Sequence, residues 1–267
     1  MRRLFSILLL CTVALFAVSC SDNNGPDGPG TLTLHFDNVV GDADLKLNTA
    51  NTPYTNSKGE VYKLTRVAYY VSNIKVKTTD GIVYADGMSA DGSAGYYLVD
   101  EANEDSQDVT LKNVPEGNYS EVTFTIGVDA GKLDQGTRVG ILDPANGLFW
   151  NSSSGYIFMS VEGMSPASTE ADHLLLYHVG GYKDDPNDAI QANNIKTITL
   201  GFNGASATVK NGHEPEAHLL YDVNKFFNGS GASISFSMDA NRNTPKSCTD
   251  VAENITGAFT VDHVHQN

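Results

Sequence analysis

Alternation of hydrophobic and polar residues dominates the chain from Thr31 onward. The segment TLTLHF (residues 31–36) places its two leucines and Phe36 on one face and polar side chains on the other. Side chains of a β-strand point to opposite faces in turn, so this period of two predicts a half-buried strand. Similar patterns recur at hairpin spacing, and we predict further strands over residues 61–77, 82–87, 96–100, 107–129 (two strands around a Pro-Glu-Gly turn), 156–161, 174–179, 195–202, 218–223, 233–237 and 258–263.

Helical patterns are scarce. Only residues 223–228 and 248–255 have the composition of short helices. Gly, Pro and Asn punctuate the strands, as is typical of antiparallel sandwiches and barrels. We therefore expect an all-β protein, an antiparallel β-sandwich (Ig/cupredoxin-like) with long loops and one or two short helices.

The N-terminus has the features of a processing signal. Two arginines precede an apolar run over residues 4–18, which is too short to indicate a membrane span. The sequence AVSC at residues 17–20, which overlaps the end of this run, resembles a bacterial lipoprotein signal, in which Cys20 becomes lipidated. We therefore expect a signal peptide over residues 1–19, a flexible lipid-anchored tether over residues 20–30, and a single domain over residues 31–267.

This signal predicts a location in the cell envelope. The Ser-Asp start of the tether resembles the export signal of surface lipoproteins in Bacteroidetes-like bacteria. We expect anchoring to the outer membrane through the N-terminal lipid only, with the domain either periplasmic or surface-exposed.

Cysteine use permits no disulfide within the processed chain. Of three cysteines, Cys11 would be removed with the signal and Cys20 would be acylated, which leaves Cys248 alone. A lone thiol in an oxidising compartment is expected to be buried and inert, with metal ligation as the alternative.

The acidic composition restricts the partners. A formal net charge of −15 at pH 7 disfavours nucleic acid and anionic membrane surfaces, both of which require basic patches. The charge is compatible with cation binding, although a solvated acidic surface is the commoner cause.

Histidines are the main candidates for chemistry. The chain has seven, and His263 and His265 lie two apart in a predicted strand, so both rings should share one face with their Cα atoms about 7 Å apart. His35 lies on the polar face of the first strand, and His178 ends an apolar strand. Imidazole suits copper, zinc and nickel rather than calcium or magnesium. The remaining three are His173, which should face away from His178, His213 in an apparent exposed turn, and His218.

Other candidate features are weaker. The acidic turn at residues 184–188 could hold Ca²⁺, but an ordinary solvated loop explains it as well. No Zn-peptidase, EF-hand or GxSxG motif occurs. A pair of carboxylates at strand ends could support glycoside hydrolysis, but a β-protein this acidic supplies such pairs by chance, and we expect no enzyme. The candidates at strand ends are Asp37, Asp129, Asp143, Glu162 and Asp222.

The stretch GLFWNSSSGYIFMSVEG (residues 147–163) holds Trp150, the one tryptophan of the chain. A single tryptophan beside a Gly-rich turn is usually a core anchor, because aromatic side chains dominate core burial. Whether Trp150 also belongs to a site is a separate question.

Several of these segments, in this order, resemble the MbnP-like family of copper-binding proteins. The matching pieces cover most of the chain after Thr31; they are LHFDNVVGD, YTNSKGEVYKLTRVAYYVSNIKV, YYLVDEA, VPEGNYSEVTFTIGVD, LDPANGLFWNSSSGYIFMSVEG, YHVGG, YDVNKFF and FTVDHVH. The resemblance implies a periplasmic or lipid-anchored protein with one copper site built from histidine side chains.

Carried over residue by residue, the resemblance implies copper ligands among His35, His178, His263 and His265. In some relatives a tryptophan near the site is oxidised to kynurenine and joins the coordination, and Trp150 is the candidate here. The family often reads Trp-x-Trp before Ser-Gly-Tyr, whereas this chain has Ser152 at the second position. A modification at that second position is therefore unavailable.

Two functional hypotheses follow. The first is an extracytoplasmic lipoprotein that binds copper for acquisition, storage or delivery, with a copper-delivery protein as its partner. The alternative is a metal-free adhesion or glycan-binding module, in which exposed tyrosine pairs such as Tyr69–Tyr70 or Tyr96–Tyr97 would stack on sugars.

Overall fold

The structure is a computed structural model that describes residues 28–89, 91–129, 140–185, 187–188 and 190–267. The predicted signal peptide, Cys20 and the tether up to residue 27 lie outside the described residues.

The described residues form sixteen strands and two α-helices. The strands are β1 (Gly30–Val40), β2 (Ala43–Asp44), β3 (Tyr54–Thr55), β4 (Val61–Thr78), β5 (Val83–Ala85), β6 (Tyr96–Asp100), β7 (Asp108–Val114), β8 (Gly117–Ile126), β9 (Phe149–Asn151), β10 (Gly155–Met164), β11 (Leu174–Gly180), β12 (Lys196–Gly201), β13 (Ala207–Val209), β14 (Glu216–Asp222), β15 (Asn241–Arg242) and β16 (Phe259–His265). The helices are α1 (Val223–Phe227) and α2 (Thr249–Ala258). Among the described residues, no helix combines the length and the apolar character that crossing a membrane requires.

The strands form two sheets, which confirms the all-β prediction. The smaller sheet has five strands in the order β16-β14-β1-β2, with β7 also pairing with β1. The larger has eleven, with the path β12-β8-β4-β10-β11-β15 and short strands paired along it. Two pairs depart from the antiparallel expectation, because β1 runs parallel to β14 and β11 runs parallel to β15.

The core lies between the two sheets. From Leu32 onward in β1, the even-numbered residues are buried and the odd-numbered ones are partly exposed, as the period of two predicts. Phe36 of β1 packs edge-on against Phe124 of β8 and Tyr69 of β4, with ring centroids 5.5 Å and 6.2 Å away. Edge-to-face packing of this kind suits the charge distribution of aromatic rings. The opposite face of β1, which carries the odd-numbered residues, is therefore available for polar side chains.

The strand predicted over residues 233–237 is wrong. The backbone N–H groups of Phe236 and Ser237 donate to the carboxylate of Glu60, at 2.7 Å and 3.1 Å, so they do not enter a ladder. Burial alone would raise the pKa of Glu60, but hydrogen bonds from Asn56, Phe236 and Ser237 lower it to about 2. The side chain of Glu60, which lies 176 positions before Phe236, thus fixes the conformation of this segment. A pattern within the segment itself could not predict this.

Candidate metal centre

A row of histidines and carboxylates crosses the outer face of the smaller sheet. The parallel pairing of β1 and β14 places His35 directly beside His218. Both lie on the partly exposed faces of their strands, while their neighbours in sequence are buried. The two rings are 4.8 Å apart between centroids. Asp108 of β7 lies opposite His35 on its other side.

β16 adds two more imidazoles to this face. Its pairing with β14 contains a bulge, so that Asp262 and His263 together oppose the single residue His218. The ring of His263 stacks on that of His218 at 4.3 Å, and the ring of His265 meets it edge-on at 5.2 Å. The predicted His263–His265 pair therefore does share one face.

Three of these imidazoles have the spacing of a metal site. Ligand atoms of His218, His263 and His265 all lie within 4.8 Å of one another. The Nε2 atoms of His263 and His265 are 2.9 Å apart, close to the roughly 3.3 Å expected for two nitrogens bound tetrahedrally to one metal at about 2.0 Å. Both side chains are exposed, so ring rotation brings the nitrogens to bonding distance at little cost.

Two carboxylates at the edge of the cluster orient the rings of His263 and His35. Asp262 contacts Nδ1 of His263 at 2.7 Å, which leaves Nε2 for the cluster. Asp108 does the same for Nδ1 of His35 at 2.5 Å. A carboxylate on one imidazole nitrogen fixes the ring's orientation and strengthens the other nitrogen as a ligand. This is the support that histidine ligands of metals commonly have.

Asp37 joins His35 to His218. Its two oxygens contact Nε2 of His35 and Nδ1 of His218, each at 2.9 Å, and the three side chains form a second group with metal-ligand spacing. Burial alone would lower the pKa of His35, but Asp108 and Asp37 raise it above its usual value. The cluster thus combines four imidazoles with carboxylates, which suits a divalent or monovalent transition-metal ion.

His178 and Trp150 lie elsewhere, in the larger sheet. The Oδ1 atom of Asn243 joins them: it accepts from Trp150 Nε1 at 2.8 Å and contacts His178 Nδ1 at 3.0 Å. The other ring nitrogen of His178 contacts Glu162 at 2.9 Å, and this hydrogen bond lowers the pKa of Glu162. The structure therefore separates His178 from the other three predicted ligands.

Trp150 packs on the core and against the backbone of β11. A Cβ added to Gly180 would lie 2.8 Å from its ring and 2.3 Å from the carbonyl oxygen of Tyr156. Only glycine fits this close approach, which explains the glycine at position 180. Trp150 is thus a packing residue whose N–H has a partner, as expected of a core anchor.

Several other candidates have structural roles. Asp222 caps α1 by accepting from the N–H of Asn224, and Asp143 accepts from the N–H of Ala145. In the acidic turn, Asp184 and Asp185 likewise accept from backbone N–H groups. These bonds leave the carboxylates engaged with their own loops.

The cysteine is buried, and so are three of the four tyrosines in the two pairs, Tyr97 being half-buried. Cys248 is fully buried, its thiol contacts the carbonyl oxygen of His178 at 3.1 Å, and burial raises its pKa to about 12. The prediction that this thiol is buried is confirmed. Tyr69, Tyr70 and Tyr96 are also buried, so these pairs do not form the exposed sugar platform that the glycan hypothesis requires.

His218 was not among the ligands predicted from sequence, although it occupies the centre of the cluster. Its strand reads EAHLLYD, in which buried residues alternate with Glu216, His218 and Leu220. That alternation places His218 on the outer face, but its pairing with β1 is parallel and spans more than 180 positions. No local spacing could have joined the two strands.

Comparison with known proteins agrees with the resemblance. The MbnP family model matches residues 29–250. Among solved structures, MbnP from Methylosinus trichosporium is similar with a TM-score of 0.54 and 16% identity, covering 88% of this chain and 98% of that one. A putative cell adhesion protein from Bacteroides eggerthii aligns at a TM-score of only 0.19 and 10% identity, over 91% of this chain and 97% of that one.

A sequence search of curated proteins gives no match. The identity to the solved MbnP structure is low enough that this likeness concerns the fold. His263 and His265 lie beyond the residues that the family model matches. The family match nevertheless spans most of the chain, and the protein belongs to the MbnP family.

Proposed function

We propose that this protein binds copper through the histidine cluster of the smaller sheet, for acquisition, storage or delivery of the metal. One observation carries the proposal: ligand atoms of His218, His263 and His265 converge within 4.8 Å. Membership of the MbnP family supports a metal-related role. The proposal makes the protein a binding protein and not an enzyme.

The donor set favours copper over harder cations. Imidazole nitrogen suits copper, nickel and zinc, and copper(II) binds such sites more tightly than its neighbours in the series. Neither ligand group among the described residues contains sulfur. A blue-copper electron-transfer site requires a cysteine thiolate, so storage or delivery fits the cluster better than electron transfer. Exposure of His263 and His265 also suits transfer of the metal to a partner protein.

The resemblance implies one copper site that includes His178 and Trp150, and because these two residues lie away from the cluster they are the alternative place for the metal. It offers one imidazole, one carboxylate and, after oxidation of Trp150, a kynurenine. Both nitrogens of His178 already contact oxygen atoms, and among the described residues His178 belongs to neither group with metal-ligand spacing. We therefore place the copper at the cluster.

Copper content of the full-length chain and of His178→Ala tests this placement. We expect both proteins to retain copper equally after dialysis, because His178 lies outside the cluster. Mass analysis of the Trp150 peptide in the same samples reports its oxidation. Loss of copper from His178→Ala, with copper retained by the unmodified chain, would show that the copper site lies beside Trp150 and not at the cluster.

We further propose that the chain is a lipoprotein of the cell envelope, on the basis of the AVSC sequence and the Gly/Pro tether. Anchoring would hold the copper site at a membrane without any basic surface. Metabolic labelling with a fatty-acid analogue should mark the wild-type chain and not Cys20→Ser. Equal labelling of the two would refute lipidation at this cysteine.

A further inference from the structure

His218 belongs to both ligand groups of the cluster. One group is His218 with His263 and His265, and the other is His218 with His35 and Asp37. We propose that His218 bridges two metal ions through its two ring nitrogens, so that the cluster is a binuclear centre. This inference rests on the proposed function and extends it from one metal ion to a pair.

The two nitrogens of His218 face different partners. Nδ1 contacts Asp37 at 2.9 Å, and the other oxygen of Asp37 contacts His35. Nε2 contacts Glu216 at 2.7 Å, whose strand position is paired with His265. Each ring nitrogen of His218 therefore has a carboxylate within hydrogen-bonding distance, and imidazole nitrogen and carboxylate oxygen are both groups that a metal ion at that edge of the ring can use as ligands.

The first metal position has imidazole ligands. His263 and His265 supply nitrogens whose rings lie 4.3 Å and 5.2 Å from the ring of His218, and Glu216 adds a carboxylate at its Nε2 edge. Asp262 holds the outer nitrogen of His263. Three nitrogens and one oxygen fit copper(II) or zinc.

The second position lies on the β1 side of His218. His35 supplies Nε2, Asp37 supplies carboxylate oxygen and His218 supplies Nδ1, with Asp108 behind His35. The side chains of His35, Asp37 and His218 are less exposed than that of His263. A mixed nitrogen and oxygen set of this kind accepts copper(II) or zinc as a second ion.

The local charge accommodates two divalent ions. Binding of the second ion replaces the remaining N–H proton of His218, which passes to solvent and leaves a bridging imidazolate. The imidazolate contributes −1, and the four carboxylates of Asp37, Asp108, Glu216 and Asp262 contribute −4, against +4 from the metals. The negative charge of the surrounding side chains therefore nearly balances the positive charge of the two ions.

Titration of the full-length chain with copper(II) sulfate, followed by equilibrium dialysis and electron paramagnetic resonance, tests the bridge. We expect two copper ions per chain and a magnetically coupled signal. His35→Ala should retain one ion with an uncoupled signal. His218→Ala should lose the coupling, and His213→Ala, whose ring lies outside the cluster, should match the wild type.

The outcomes separate the two proposals. A single, magnetically isolated copper in the wild type would overturn the bridge and leave the proposed copper site intact. Two uncoupled ions, unaffected by His218→Ala, would also overturn the bridge. No bound copper at all would overturn both. Because the wild-type signal is itself decisive, the test does not depend on the variants folding.

Discussion

Replacing His263 and His265 together with alanine should weaken copper binding at least tenfold, which corresponds to about 1.4 kcal/mol. The pair supplies two of the three imidazoles that converge at the first metal position. His218 and Glu216 would remain, and two ligands hold copper less tightly than four. Competition with a chelator of known copper affinity measures the loss.

The double variant should fold normally. Both side chains are exposed, and substitutions at exposed positions usually change the free energy of unfolding by less than about 0.5 kcal/mol. His213→Ala is the matched control, because it removes a histidine that belongs to neither ligand group. Unchanged copper affinity in the double variant would show that His263 and His265 are not copper ligands.

Phe259→Ala should lower the free energy of unfolding by about 3–5 kcal/mol, the usual cost of truncating a buried phenylalanine. Its ring is 2% exposed. It packs between the sheets with Tyr221 at 4.9 Å, Phe124 at 5.3 Å and Tyr69 at 5.7 Å. Tyr221 belongs to the smaller sheet, and Phe124 and Tyr69 belong to the larger one, so this ring joins the two sheets. Urea unfolding followed by circular dichroism measures the loss.

Phe259→Leu is the control for this prediction, because leucine keeps the site apolar and fills most of the volume; it should cost about 1–2 kcal/mol. The position matters for the metal centre as well, since β16 starts at Phe259 and continues to His263 and His265. A loss below about 1 kcal/mol in Phe259→Ala would show that the inner face of β16 does not pack as described.

Local pattern was sufficient to predict most of the fold. The strand predicted over residues 96–100 has the bounds observed for β6, and both predicted helices occur within a few residues of their expected positions. These elements follow from alternation and turn residues that lie within a few positions of one another. The strand predicted over residues 233–237 does not form, because backbone N–H groups of this segment donate to the carboxylate of Glu60, which is far away in sequence.

The candidate site divides in the same way. The spacing of His263 and His265 is local, and their shared face was predicted from it. The contribution of His218 depends on a parallel pair between β1 and β14, and a bulge opposite His218 sets the position of His263. Both are tertiary features. His178 was grouped with the others only through the family resemblance, and the structure places it beside Trp150 and Asn243 instead.

The central claim is that copper lies on the histidine cluster of the smaller sheet. The most direct test is an anomalous difference map, recorded at the copper absorption edge from crystals of the copper-loaded protein. We predict a peak within bonding distance of His218, His263 and His265. A peak beside His178 and Trp150, with none at the cluster, would contradict the account.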